Sequence, residues 1–336
     1  MAGYTFSYVS GVNDSVFGKS QAPIQLYIEK KGEAFEQESV IGKLFQMGTD
    51  TSFGGKLTTM TAMDGFQPVG ENGPHPHDNM QEGYSKMYEQ MTWKDRFSIT
   101  KEAVEDSQLM DLKKKPAAFI TGYNRTRERF GAALFGAAIG GNATVAFGGK
   151  VFDCKTADGS NLFAKTHPGK VSGLQQSNLF ADAFSADALM AAETAIQNFK
   201  GDNDELLDVA PDTILIPNDY ALKKSVFAAI GADKDPATAN NGFNFIFGRW
   251  NVIVWAELNR YIANGVYPWI LASGQYNNDN CGAFWRDRVK LEITSHIDHD
   301  TDANVWDGRA RFMAGFNDWR AFAVGGISGG TQLITA

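Results

Sequence analysis

Residues 130–147, FGAALFGAAIGGNATVAF, carry no charge over 18 positions, and a chain must hide such a stretch from water somewhere. Length alone permits a membrane span. The segment is instead rich in Gly and Ala, is broken by Gly140-Gly141-Asn142, and follows Arg125, Arg127 and Arg129 on one helical pattern. A Gly-Gly-Asn run is a helix stop signal, so the expectation is a helix that ends against a packed protein surface.

The rest of the chain sets the frame for that surface. Its 336 residues suffice for about two domains. With 31 Lys plus Arg against 39 Asp plus Glu, the net charge is −8, so any contact with nucleic acid must be local. Cys154 and Cys281 are the only cysteines and form neither a disulfide framework nor a zinc knuckle, which points to a reducing, cytoplasmic setting. The first residues lack a charged segment followed by an apolar block and are not read as a secretory signal.

Residues 1–45 show short apolar runs and one expected helix over 33–47, the pattern of an arm. Two strand-like stretches follow, GKLTTMTAM and GYSKMYEQMTWKDRFSI, and in the second Met87, Met91, Trp93, Phe97 and Ile99 share a period-2 face. Residues 54–99 therefore read as one extended hairpin whose tip, 68–79, is crowded with Pro and Gly. Residues 100–113 predict a helix with acidic residues early and Lys113, Lys114 and Lys115 late. Pro116 marks a start or a kink, and a second amphipathic segment of about 20 residues follows. Asp158-Gly159 suits a hairpin turn. Ser185 is a candidate N-cap for a helix over 185–199, TILI at 213–216 reads as a buried strand, and Asn218 is the expected cap of the next helix. With strands at NVIVWAE and YPWILAS, residues 185–273 form a second, α+β domain.

The sequence HIDHD at 296–300 packs imidazoles and carboxylates together as a metal site does. Val289, Leu291, Ile293, Ser295 and Ile297, however, alternate with polar residues, which is a strand half-buried on its odd face. His296 and Asp298 then point outward and His299 falls on the other parity, so no convergent ligand set follows. His75 and His77 flank Pro76 in a turn-rich tip and lack a third ligand. The acidic GDNDELLD at 201–208 lacks the glycine of an EF-hand loop and reads as a solvated turn. GISGG matches a nucleophile elbow around Ser328, but only six residues follow it and none is His. No catalytic residue, cofactor site or metal site is assigned.

Several stretches together resemble the major capsid proteins of tailed bacteriophages, especially the Mu-like major head subunit family. They are ITKEAVEDS at 99–107, DGSNLFAKTHPG at 158–169, SNLFADAFSADALMAAETAIQNFKG at 177–201, PDTILIPNDYALKKSVFAAI at 211–230 and RARFMAGFNDWRAF at 309–322. The resemblance covers residues 54–326. It implies an α+β capsid fold with an N-terminal arm (1–45), an E-loop hairpin (46–99), a P-domain with a spine helix (100–184 and 285–318) and an A-domain (185–284 and 319–336). It further implies a structural protein of the virion, assembled in the host cytoplasm from hexamers and pentamers into an icosahedral shell around double-stranded DNA, with a portal and no membrane.

Two departures from the family pattern stand out. Pro116 interrupts a helix usually written as continuous, and the arm is too short for an internal scaffolding domain, which implies a separate scaffold protein. In this reading Phe66, Met87, Met91 and Trp93 are contacts to a neighbouring subunit, and Lys113, Lys114, Lys115, Arg125 and Arg129 face DNA. Two alternatives stay open: an encapsulin-like compartment shell of the same fold, and a metal-dependent hydrolase using His296, Asp298 and His299.

Overall fold

The computed structural model describes residues 39–61, 66–77, 81–102, 109–231, 244 and 246–327, with backbone alone at 109–113 and at 5–8. In chain order its elements are strand β1 (Thr5–Tyr8), helix α1 (Ile41–Leu44), and strands β2 (Gln46–Thr49), β3 (Gly54–Met60), β4 (Glu82–Glu89) and β5 (Met91–Ile99). Helix α2 (Leu109–Ile139) leads to β6 (Thr144–Phe147), β7 (Lys150–Asp153), β8 (His167–Pro168) and β9 (Gln175–Gln176). Then come α3 (Ala186–Gln197), β10 (Thr213–Pro217), α4 (Tyr220–Ile230), β11 (Asn251–Trp255), β12 (Trp269–Ala272) and α5 (Gly274–Asn280). Two long strands, β13 (Ala283–Ile297) and β14 (Asn304–Phe316), precede β15 (Phe322–Gly325).

Two sheets organise these elements. The first runs β1-β13-β14-β5, with β2 also pairing β13, and the second runs β11-β10-β12-β15. Helix α2 joins them, and it does so with the uncharged stretch. Phe130, Ala132, Ala133, Leu134, Phe135, Ala137 and Ala138 are wholly buried. Phe130 packs on Trp285 of the first sheet, and Phe135 packs on Trp255 and Phe322 of the second. The small residues let neighbours close in: a Cβ on Gly136 would collide with the Cβ of Tyr261. Burial in protein thus replaces burial in lipid, and among the described residues no helix is long and apolar enough to cross a membrane.

Several expectations are corrected. The described part of the two helices expected around Pro116 is a single helix of 31 residues, about 46 Å long, with Pro116 buried inside it. Pro116 has no N–H for the carbonyl four residues back, a loss the flanking helix tolerates through its packing. Residues 103–108 of ITKEAVEDS lie outside the described residues. Of the helix expected over 33–47, only Ile41–Leu44 is helical within the described part, and Gln46–Thr49 is a strand on β13. The small hairpin turns at Gly148-Gly149, both at positive φ (56° and 76°), because a two-residue loop needs that geometry in both positions. Asp219, not Asn218, caps α4 by accepting from the N–H of Leu222 at 3.0 Å. Ser185 caps α3 as expected, accepting from the N–H of Ala188 at 3.1 Å.

The largest revision concerns residues 54–99. Only β3 and β4 form a hairpin. The pairing changes at Gln90, and β5 hydrogen-bonds along its whole length to β14, from Ile99↔Asn304 to Met91↔Phe312. Trp93 stacks on Phe312 at 4.8 Å, lies near-parallel to Phe152 at 6.0 Å, and meets Phe130 at 5.4 Å. Its indole N–H donates to the Phe312 carbonyl at 3.2 Å.

Buried charge fastens the crossings between the sheets. Arg320, on the 3-10 turn Trp319–Ala321 between β14 and β15, reaches Asp202 at 2.8 Å and Asp318 at 3.4 Å. The acidic 201–208 segment is therefore not simply solvated, since Asp202 is buried in that ion pair. Beside it, His167 is fully buried and stacked on Trp319 at 4.3 Å. Its Nδ1 lies 2.7 Å from the Asp158 carboxylate and its Nε2 3.2 Å from Asn178 Oδ1. The Asn178 amide nitrogen donates to the carbonyls of Leu162 and Phe322, and its oxygen accepts from the Ala164 N–H and faces the His167 ring.

Burial works against the charge of Asp158, yet hydrogen bonds from His167, Thr156 and the Ser160 N–H outweigh it and hold the carboxyl below its ordinary value. A depressed folded pKa gives stability that is complete above the unfolded carboxyl range and is lost as pH falls through it towards the folded value. Melting temperatures of the wild type should therefore fall on acidification below about pH 5, and Asp158→Asn should flatten that fall while lowering stability at pH 7 by about 1–3 kcal/mol. Trp93→Ala should cost about 3 kcal/mol in denaturant titration of the unassembled subunit, the low end for an aromatic, because the ring is partly buried and packed against the core.

Candidate assembly interface

The β3–β4 hairpin has two unlike faces. Tyr84, Lys86 and Tyr88 alternate along β4 and turn towards the subunit's own body. Lys86, nearly buried, donates from Nζ to Asp153 Oδ2 and to the Lys155 carbonyl, both at 2.5 Å. Lys170 Nζ donates to the carbonyls of Glu82 at 2.8 Å and Gly83 at 2.7 Å. The Tyr88 hydroxyl donates to Asp50 Oδ2 at 2.8 Å while its ring lies 5.0 Å from Phe284. Burial, then the hydrogen bond to Asp50, pushes the Tyr88 phenol up to about 12. The stem of the hairpin is thus anchored within its own chain.

The opposite face is open. Met87 is 80% exposed and cross-strand from Lys56, Met60 is 59% exposed, and Phe53 is exposed at the base. At the tip, described for residues 66–77, Phe66 and Val69 are exposed, as are His75 and His77. Of the four contact residues expected from sequence, Phe66 and Met87 sit on this open surface. Met91 packs against the core, and Trp93 lies within the aromatic cluster of its own subunit. All of Met87, Met91 and Trp93 share one parity, but parity carries no information across Gln90, where the strand exchanges one partner for another.

The basic set divides similarly. Lys114 and Arg125 are exposed and lie on one face of α2, with Ala118 exposed between them. Lys115 is half-buried and donates to the Ser98 carbonyl at 3.2 Å. Arg129 reaches Glu257 Oε2 at 3.5 Å, an oxygen that Arg260 approaches at 2.7 Å. The side chain of Lys113 lies outside the described residues. Arg127 turns inward to pair with Asp287 at 3.1 Å over the ring of Trp285.

The histidine-rich strand end does not converge. His296 Nδ1 lies 3.3 Å from Asp307 across the strand pair, and Asp298 accepts from Thr301 Oγ1 and the Asp300 N–H, which hold its carboxyl below the ordinary value. Among the described residues no group of three His, Cys, Asp or Glu could hold a metal ion. Ser328 lies outside the described residues. Cys154 is buried, which pushes its thiol up to about 12 and suits it to packing and not to nucleophilic chemistry. The His167–Asp158–Asn178 cluster and the Lys86 and Lys170 anchors were not found from sequence, because each joins residues from separate segments.

No curated protein matches the chain. Among solved structures, the fold overlays on a chain of Mycobacterium phage Patience with a TM-score of 0.51 at 12% identity, covering 100% of this chain and 95% of that one. It overlays on the capsid of cyanophage P-SCSP1u with a TM-score of 0.52 at 9% identity, covering 87% of this chain and 88% of that one. At such identities the likeness speaks for the fold alone. A family model described as phage capsid protein matches residues 83–325, well over half the chain. That span takes in β4 to β15, both sheets' long strands and the helix between them. The chain belongs to the phage capsid protein family: it is a major capsid protein, a structural subunit of the virion shell and not an enzyme.

Proposed function

We propose that this subunit assembles through its β3–β4 hairpin, as an E-loop laid on a neighbouring copy, into hexamers and pentamers of an icosahedral head that encloses double-stranded DNA. The observation that carries the reading is the division of the hairpin. Its stem is tied to its own chain through Lys86 and Lys170, whereas Met87, Met60, Phe66 and Val69 stand in solvent. An isolated two-stranded hairpin is marginal in water, and a projecting apolar strip gains about 25 cal/mol for each Å² that a partner covers. In this assignment the hairpin narrows to residues 54–89, the first sheet with α2 is the P-domain, and the second sheet with α3 and α4 is the A-domain. Assembly takes place in the host cytoplasm, with a portal and a separate scaffolding protein completing the head.

The acidic chain meets packaged DNA through local positive charge. Lys114 and Arg125 on the exposed face of α2 are, among the described side chains of the basic set, the ones open to solvent, and they bind backbone phosphate without reading sequence.

Replacing residues 66–80 with a short Gly turn should leave a folded, cooperatively melting subunit that forms no closed shells. Circular dichroism and electron microscopy of one preparation check this, and normal shells would remove the hairpin from the interface. Charge reversal by Lys114→Glu with Arg125→Glu should lower the yield of DNA-filled heads at least several-fold while empty shells form as before. Equal loss of both would count against a DNA-facing helix.

A further inference from the structure

The interior of α2 holds a glycine that the packing of its own subunit does not explain. Glycine weakens a helix interior more than any residue except proline, so a close neighbour or an unusual backbone angle normally accounts for one. Gly136 and Gly308 have such reasons: a Cβ on the first would strike Tyr261, and a Cβ on the second would strike the Phe119 ring. Gly122 has neither. Its backbone is helical, and outside its own turn of helix a Cβ there would meet no described residue within 4 Å. Its carbonyl already accepts from the Thr126 hydroxyl at 2.9 Å, so a free backbone acceptor is not the reason either.

The open space at Gly122 belongs to a slot of about 90 Å³ between α2 and the first sheet. Trp93, Phe119, Tyr123 and Phe312 line it with rings, and Gly122 and Gly308 line it with bare backbone. Lys94 and Asp95, both exposed on the edge strand β5, mark its open side. A space of this size holds one side chain, and ring-lined walls give water few partners, so the slot suits an apolar group. The rings select further. A thioether is polarizable, makes favourable contacts with aromatic edges and bends to fill an irregular gap.

We propose that this slot, kept open by Gly122, receives the Met87 side chain from the hairpin of a neighbouring copy, a deepening that rests on the hairpin reading above. Met87 is 80% exposed, and its strand neighbours Lys86 and Tyr88 are held inward by Asp153 and Asp50, so the thioether is presented outward on a fixed strand. Charge also matches. Lys56 lies across the strand pair from Met87 and reaches Glu82 at 3.9 Å, which flanks the thioether with one cation and one anion. The open side of the slot offers the same two signs in Lys94 and Asp95, the latter also accepting from the Arg96 N–H at 2.9 Å. With Met87 seated, Lys56 meets Asp95 and Glu82 meets Lys94 at the rim, where opposite signs fix the register and like signs reject other poses. The apolar surface covered on both copies drives the association.

The test uses the full-length chain. Gly122→Leu puts a better helix former into open space, so the melting temperature of the unassembled subunit should hold or rise. The same substitution fills the slot and should raise the subunit concentration for half-maximal assembly by about tenfold or more, as should Met87→Ala. A change that merely disturbed the subunit would lower its melting temperature as well. Shells co-assembled from two singly substituted chains, Gly122→Cys and Met87→Cys, should form a disulfide between copies on mild oxidation, found by peptide mass spectrometry and absent from the unassembled mixture. Wild-type assembly of Gly122→Leu would overturn the seat, as would shells that lack the disulfide. If the 66–80 replacement still abolishes shells in that case, the hairpin interface survives and only its receptor is wrong. If that replacement also assembles normally, both readings fall.

Discussion

The structure depends on the burial of the C-terminal third of one helix. From Phe130 to Ile139, α2 has no face towards water, and its aromatic residues reach in two directions: Phe130 to Trp285 and Trp93, Phe135 to Trp255, Phe316 and Phe322. Each sheet covers part of that surface and leaves the rest for the other. Offset and edge-to-face aromatic pairs add about 0.5–1.5 kcal/mol each beyond area burial, so the joint between the sheets is a large share of subunit stability. A shell protein needs such a joint, because forces between neighbours are transmitted through the body of each subunit.

Charge then fixes how the chain crosses from one sheet to the other. Arg320 lies under the crossing with Asp202 and Asp318, and its guanidinium is held protonated: burial opposes the charge, but Asp318, Tyr276 and Asp202 outweigh it. His167 and Asp158 add a second buried pair against Trp319. Buried pairs are weak contributors to net stability, since desolvation offsets attraction, but losing one partner strands the other at a cost of about 3–5 kcal/mol. Their arrangement therefore resists partial rearrangement of the crossing more than it deepens the fold.

The hairpin shows the same economy of surfaces. Hydrogen bonds through Lys86, Lys170 and Tyr88 direct one face inward and so present Met87 and Met60 outward. An exposed apolar strip on a free subunit is an aggregation liability, and the mixture of Lys56, Glu82 and Glu89 among the methionines limits it until a specific partner arrives.

Local rules read the elements that depend on neighbours in the chain. The uncharged stretch at 130–147, buried continuously over Phe130–Ile139, the Ser185 cap, the strand at 213–216 and the half-buried face of β13 at Leu291 and Ile293 follow from periodicity, capping and the cost of exposing apolar surface. The family pattern, spread over long stretches, also lay in the sequence. What the tertiary structure decided was partnership. The polar and apolar pattern of residues 83–99 is the same whether β5 continues a hairpin or joins β14, and only the core presented by Phe312 and Phe130 selects the second. Pro116 stays helical because packing over the rest of α2 exceeds the loss of one backbone hydrogen bond. Partners distant in sequence are chosen by the whole fold, and no local pattern encodes them.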